Sequence, residues 1–367
     1  MVQRKGSLEI MVMDLNFYKG KSVFVTGHTG FKGTWLCKIL EMAGAKVTGF
    51  SLPSPTVDGG KVFKLSGVKE GMNSFIGDIR DYQTLFHVFS AVQPEIVLHL
   101  AAQPIVRESY KDPVGTYASN VMGTVHILEC VRQTSCVKSF LNVTTDKVYE
   151  NKEQEDKAYV ETEPLDGYDP YSNSKSCSEL VTHSYKKSFF PDENVAISTA
   201  RAGNVIGGGD FAVDRIIPDC ICAAYNRKEI EVRNPYSTRP YQHVLEPLYV
   251  YLMLAQAQYE NGKYAGYYNV GPDECDCVTT GSLVDLFCKN WGCGQTWKNM
   301  NVDGPHEARF LKLDCTKIKQ TFNWQPHWHI DEAMVKTVAW AKVYEQQGDI
   351  AKCMEQQIAE FMEAGGK

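Results

Sequence analysis

The sequence predicts a doubly wound α/β fold: a mostly parallel sheet with helices on both faces, joined to a smaller mixed α/β region. Three observations predict it. Short β-branched runs alternate with longer amphipathic segments from Ser22 to about Gly203, as βαβ units do. The first run passes directly into a glycine-rich turn that opens a helix. After Gly203 the alternation becomes irregular, with Gly207-Gly208-Gly209, more prolines, and a stretch rich in tryptophan and cysteine between Cys275 and Trp328.

Taken in order, residues 22–26, 46–50, 73–76, 95–100, 139–144 and 195–202 read as strands, each a short apolar run bounded by turn residues. Residues 33–43, 81–91, 114–133 and 170–189 read as the helices between them. Right-handed crossovers wind such units onto one sheet, whose strands offer their carboxyl ends to ligands. Residues 241–258 have the apolar spacing of a helix returning to that sheet. The domain reading is an N-terminal extension at 1–20 and a nucleotide-binding domain at 21–203 plus 241–270. A second domain follows at 204–240 and 271–345, with a C-terminal helical tail at 346–367. A chain of 367 residues has room for this at ~150 residues per domain.

Composition narrows the partners. With 38 basic and 44 acidic residues the net charge is −6, which gives no field for nucleic acid or an anionic membrane. No apolar run approaches the ~18 residues of a membrane span. The 12 cysteines follow no secretory signal in a chain too long for a disulfide framework, so a reducing cytoplasm is expected. Cys220-x-Cys222 and Cys275-x-Cys277 are too tightly spaced for the usual zinc pattern, and no metal is expected.

The turn after the first strand reads Gly27-His28-Thr29-Gly30-Phe31-Lys32-Gly33. Glycines let backbone approach a pyrophosphate, and the helix terminus behind them offers free N–H groups and a positive dipole. All seven residues are candidate dinucleotide contacts. The acidic residue that usually holds the adenosine ribose is replaced by Phe50-Ser51-Leu52, and no arginine follows, which favours NAD over NADP. Asp78-Ile79 follows the third strand, where Asp78 suits either an adenine edge or a helix cap.

Tyr171 and Lys175 stand four residues apart, on one face of the helix introduced by Asp169-Pro170. A lysine ammonium near a phenol favours the phenolate, so Tyr171 is a candidate base for a hydroxyl proton. With the glycine loop, this pair resembles the extended short-chain dehydrogenase/reductase family. The fifth strand ends in Thr145-Asp146-Lys147. Thr145 and Tyr171 are what oxidation of a sugar hydroxyl requires, whereas elimination of water needs a further acid and base, which Asp146 and Lys147 supply.

Here the resemblance narrows to the nucleotide-sugar 4,6-dehydratases. Many members carry Thr-Asp-Glu; Lys147 in the third place is similar to the branch acting on CDP-glucose. The resemblance continues through His99-Leu100-Ala101-Ala102-Gln103-Pro104, Asn120 in Asn120-Val121-Met122-Gly123-Thr124, Tyr168-Asp169-Pro170-Tyr171, 201–210, 239–247 and His306-Glu307-Ala308. It implies a cytoplasmic homodimeric lyase that holds NAD and works in deoxysugar and O-antigen biosynthesis, with Leu100, Ala101, Ala102, Asn120, Tyr171, Lys175 and Arg201 at the cofactor. Thr145, Asp146, Lys147, Tyr171 and Lys175 are its expected catalytic set. Gln103, Thr145, Asn204, Arg215, Arg233, Arg239, Asn269 and Arg309 are the expected substrate contacts, because a diphosphate needs cationic donors.

Three other readings stay open on the sequence. A 4,6-dehydratase of a different nucleotide hexose differs only in loops that recognise the base. A nucleotide-sugar epimerase needs Tyr171, Lys175 and Thr145 and leaves Asp146 without a task. A regulatory NAD-binding module needs none of the five.

Overall fold

In a computed structural model, residues 13–53, 60–154, 157–191, 194–300 and 310–365 are described. The central sheet has seven strands: β1 (Ser22–Thr26), β2 (Lys46–Ser51), β3 (Asn73–Ile76), β4 (Ile96–His99), β5 (Ser139–Thr145), β6 (Ala196–Ala202) and β7 (Tyr267–Val270). All neighbours pair in parallel, in the order β7-β6-β5-β4-β1-β2-β3. The chain reverses its winding between β1 and β4, which is where an open α/β sheet forms a crevice at its carboxyl edge.

The longer helices are α1 (Phe31–Met42), α2 (Tyr82–Val92), α3 (Gly123–Arg132), α4 (Pro170–Phe189), α5 (Ile216–Tyr225), α6 (Leu245–Glu260), α7 (Thr280–Trp291), α8 (Ile330–Glu345) and α9 (Ile350–Ala364). Strand alternation divides the interior into two cores. Val23, Val25, Leu98, Leu141 and Ala200 face α1 and α6, whereas Phe24, Val97, Phe140 and Ile197 face Leu85 and Phe89 of α2 and Ile127 and Leu128 of α3. α6 is apolar all round and buried along nearly its whole length. Truncating its Leu248 to alanine is expected to cost on the order of 2–5 kcal/mol. A third core joins α5, α7 and α8 through Ile217, Phe287, Met334 and Val338.

Four expectations are corrected. β7 is absent from the sequence reading: Tyr267–Val270 is short and lies beyond the regular alternation. The helix expected over 114–133 is interrupted by a π-helical turn, Ala118–Met122, centred on buried Asn120. The helix expected over 241–258 begins at Leu245, because Gln242–His243 pairs instead with Val205–Ile206. Within the segments read as an extension and a tail, Tyr18 and α9 join the main core: the Tyr18 hydroxyl donates to Leu252 O, and Phe361 packs on Trp328.

Candidate active site

The β1–α1 turn is built by glycine. Gly27 has a φ of +77°, and a Cβ there would lie 2.8 Å from Ala101 N; a Cβ on Gly33 would lie 2.1 Å from Gly27 O. Both glycines are demanded by the protein's own packing. Gly30 is different, since its added Cβ would meet only Gly27 O, at 3.4 Å. It is the N-cap of α1 and gives no side-chain cap to the N–H groups behind it. That cradle fits a dinucleotide pyrophosphate.

The loop side chains divide. Thr29 bonds Ser51 at 2.7 Å, filling the place where a ribose-binding acid is usual. His28 is fully buried, with Nε2 2.7 Å from Ser74 Oγ and its ring where a Cβ on Gly49 would sit. Its imidazole therefore packs between strands and is not turned to the crevice. Burial, reinforced by Arg215 and Lys175, lowers Lys32 to about 7, with Asp146 and Asp210 opposing. Among the described residues Lys32 makes no hydrogen bond or ion pair. Beyond β4, Thr26 Oγ1 accepts from Leu100 N and Ala101 N, and Ala102 follows in the same loop.

α4 starts where Asp169 accepts from Ser172 N at 3.0 Å and Pro170 takes the first helical position. Ser109 Oγ accepts Tyr171 N, and Ser176 Oγ donates to Val148 O at 2.7 Å, fastening the helix to the turn after β5. Tyr171 is buried, and burial pushes its phenol up to about 12, opposed by a hydrogen bond with Thr145. Lys175 Nζ donates to Val143 O at 3.1 Å. Burial brings that amine down to about 8, opposed by Glu179. The ammonium expected to ease ionisation of the phenol is thus anchored on the strand, and the cation that lowers Tyr171 is Arg215.

Thr145, Asp146 and Lys147 lie where β5 meets that helix. Thr145 donates to Asp146 Oδ1 at 2.9 Å, and Lys147 Nζ lies 3.9 Å from the same oxygen. Asp146 Oδ2 is buried and has no hydrogen-bond partner among the described residues. A Cβ on Gly203 would lie 3.2 Å from it, so the backbone before Asn204 borders this oxygen. Asn204 Nδ2 is likewise buried and unpartnered. Arg215 is held by Asp210 at 2.9 Å and interacts electrostatically with both Tyr171 and Lys32, so the second region brings one cation to the cluster.

Other candidates have interior tasks. Asn120 bonds both the N–H and the C=O of Gln103 and donates to Ser174 Oγ, tying the loop after β4 to α4. Gln103 folds back on Ile105 and Thr116. Arg201 is fully buried: it donates to Glu179, to Tyr149 and to Glu161 O, with its charge directed into the helix layer. Asn269 is consumed by Tyr149, Tyr159 O and Asp314 O. Arg233 pairs with Asp214 at 2.6 Å, and Asp78 is gripped by Arg80. Ile79 packs on Gly123, Arg239 is buried and donates to Thr238 O, and Arg309 lies outside the described residues. Sequence reasoning missed Glu179, although its spacing of four from Lys175 was the available signal, and Asp210, for which there was none. It also missed Cys275, Asp276 and His329, whose donor atoms lie within 4.8 Å of one another; there Asp276 caps α8 through Ile330 N. No helix of the described residues is long and apolar enough to cross a membrane.

The family model for GDP-mannose 4,6 dehydratase matches residues 24–337. The CDP-glucose 4,6-dehydratase of Salmonella typhimurium is 45% identical over 359 residues, covering 96% of this chain and 99% of that protein. A probable dTDP-glucose 4,6-dehydratase of Sinorhizobium fredii is 27% identical, covering 87% of this chain and 92% of its own. Among solved structures, dTDP-glucose 4,6-dehydratase of Bacillus anthracis in complex with NAD superposes with a TM-score of 0.74 at 21% identity, covering 90% and 99% of the two chains. UDP-glucose-4-epimerase of Stenotrophomonas maltophila does so with 0.77 at 19%, covering 89% and 100%. The structural likenesses are of fold, shared by dehydratases and epimerases alike. The family match spans both the glycine cradle and the Thr145–Tyr171 cluster, and with it the chain belongs to the GDP-mannose 4,6-dehydratase family.

Proposed function

We propose that this protein dehydrates CDP-glucose to CDP-4-keto-6-deoxyglucose with NAD retained at the cradle of Gly27, Gly30 and Gly33. The observation that carries this reading is Asp146: a buried carboxyl group beside Tyr171 with one oxygen that finds no partner among the described residues. An epimerase has no proton to move at carbon 6, and a binding module has no use for such a group. The full-length similarity to a CDP-glucose 4,6-dehydratase supports the choice of nucleotide.

NAD, which the cradle of Gly27, Gly30 and Gly33 would hold, would supply a hydride acceptor for carbon 4 and a donor for carbon 6, and so be restored in each turnover. Tyr171 takes the proton of the carbon-4 hydroxyl, which Thr145 holds beside it. Its high ionisation range means that the phenol needs help from positive charge, and Arg215 is the cation that supplies it. The resulting ketone acidifies carbon 5. Loss of that proton expels the carbon-6 hydroxyl, and Asp146 in its acid form gives its proton to the leaving oxygen, so one water departs; a proton then returns to carbon 5 as carbon 6 receives the hydride, and the proton taken up by Tyr171 is exchanged through solvent to restore Asp146. Lys147 is the group at hand for carbon 5, as a base when neutral or as a cation beside the enolate. Arg215 and Arg239 are the proposed diphosphate contacts. A soluble cytoplasmic homodimer working in deoxysugar and O-antigen synthesis is the setting this reading implies.

The test is incubation with CDP-, GDP-, dTDP- and UDP-glucose in deuterated water, with products identified by mass. Loss of one water from CDP-glucose, with one deuterium gained at carbon 5, is expected. An isomer of unchanged mass would point to epimerisation instead, and turnover of a different nucleotide would move the base assignment.

A further inference from the structure

Glu179 lies one turn beyond Lys175 on α4 and is fully buried. Its Oε1 accepts from Thr144 at 2.5 Å; its Oε2 accepts from Thr199 at 2.8 Å and Arg201 Nη2 at 2.9 Å, with His183 Nε2 3.3 Å away. Burial works against its charge, but Arg201, His183 and Thr144 overcome this and hold the carboxyl down at about 2. A buried ion pair of this kind is usually no more stabilising than apolar residues of the same volume. Fold stability alone therefore gives no reason for it to sit on this helix.

The neighbour supplies one. Lys175 follows Tyr171 by one turn and faces His99 from β4, Lys32 from α1 and Glu179 on its own helix. Burial, with Lys175 adding to it, lowers His99 to about 3, so that ring is neutral; Lys32 is a cation or neutral. Glu179 is the one anion acting on the amine among the described residues. We propose that Glu179 is a positioning residue for Lys175: clamped by Arg201, Thr144 and Thr199, it supplies the counter-charge that keeps Lys175 an ammonium on Val143 O, one helical turn beyond Tyr171. This rests on the dehydratase reading for its catalytic consequence, but its electrostatic part stands without turnover.

The experiment compares the full-length wild type with Glu179→Gln and with Glu179→Gln/Arg201→Met. The double variant guards against misfolding, because it does not strand the Arg201 guanidinium in the interior without the Glu179 carboxylate. Lysine labelled with ¹³C at Cε reports the Lys175 titration by NMR, assigned through its loss in Lys175→Met. In the folded variants that titration is expected to fall by about 1–3 units. The alkaline limb of kcat for CDP-glucose is expected to move down with it while KM changes little, and Glu179→Asp restores both. A folded double variant in which Lys175 titrates as in the wild type overturns the proposal. So does a shifted titration that leaves the alkaline limb in place. If the wild type does not act on CDP-glucose, the dehydratase reading falls while the lysine titration still decides the electrostatic claim.

Discussion

Two buried carboxylates flank the same strand end, and they are treated in opposite ways. Glu179 accepts from Thr144, Thr199 and Arg201, with His183 also close; no oxygen is idle. Asp146 accepts one hydroxyl, from Thr145, and its Oδ2 is sealed from water without a partner. Burying a polar atom without a hydrogen bond costs ~1–3 kcal/mol. Glu246 Oε2 and Arg201 Nε are also buried without a partner among the described residues, so an idle atom alone marks nothing; it is the place of Asp146 beside Tyr171 that fits chemistry, whereas the saturated Glu179 fits support.

The largest expected effect tests the idle oxygen. Asp146→Asn keeps the shape and an acceptor for Thr145 while removing the proton donor. Turnover should fall by about 10²–10⁴-fold, with the melting temperature within error of the wild type. A variant that loses activity and stability together would erase the distinction from Glu179.

The second tests the saturated one. Arg201→Met alone strands the Glu179 charge in the interior and should cost about 3–5 kcal/mol in urea unfolding. Adding Glu179→Gln should recover most of that loss. Equal instability of the single and double variants would mean that packing around Arg201, rather than its charge, is what the fold requires.

How much of this was legible follows from particular residues. β1 and the glycine turn are read directly, because alternation and glycine spacing are local properties. Asp146 was singled out because the chemistry of elimination demands an extra acid, not because its burial was visible. Arg201 and Asn269 looked like ligand contacts, yet they pair across β6 and β7 and point with Thr199 into the helix layer. A strand's two faces are equivalent in sequence until its neighbours are known, and β7, the neighbour that decides here, was itself missed. The inward packing of the His28 ring was hidden for a related reason: it occupies space that Gly49 and Ser74 leave, and neither residue is adjacent in the chain.

Lys32 offers a smaller effect of opposite sign. Its folded value of about 7 lies below the usual lysine range, so between about 7 and the unfolded value the unfolded chain binds more protons and stability rises with pH. Below that window the folded protein carries the half-buried charge against Lys175 and Arg215. Lys32→Met should therefore stabilise the ligand-free protein by about 1 kcal/mol at pH 6 and flatten this rise. Thermal melts from pH 6 to 9 without cofactor measure it, and an unchanged slope would show that Lys32 is charged and solvated throughout.

Asp169, a third carboxylate, at the N-cap of the helix that carries Glu179, sharpens the comparison at its weak end. It accepts from Ser172 N at 3.0 Å and Ser172 Oγ at 2.6 Å, and it is only partly buried. It is a cap, and Asp169→Ala should cost about 1 kcal/mol of stability. Yet its charge also reaches Tyr171 and, with burial and Asp146, raises the phenol. Removing it should ease ionisation, so the tyrosine limb of the rate profile moves to lower pH while the melting temperature falls. These opposed signs separate it from both buried carboxylates: loss of Asp146 leaves stability alone, and loss of Glu179 draws down Lys175 rather than Tyr171. An Asp169→Ala profile that matched the wild type after correction for stability would confine this residue to its cap.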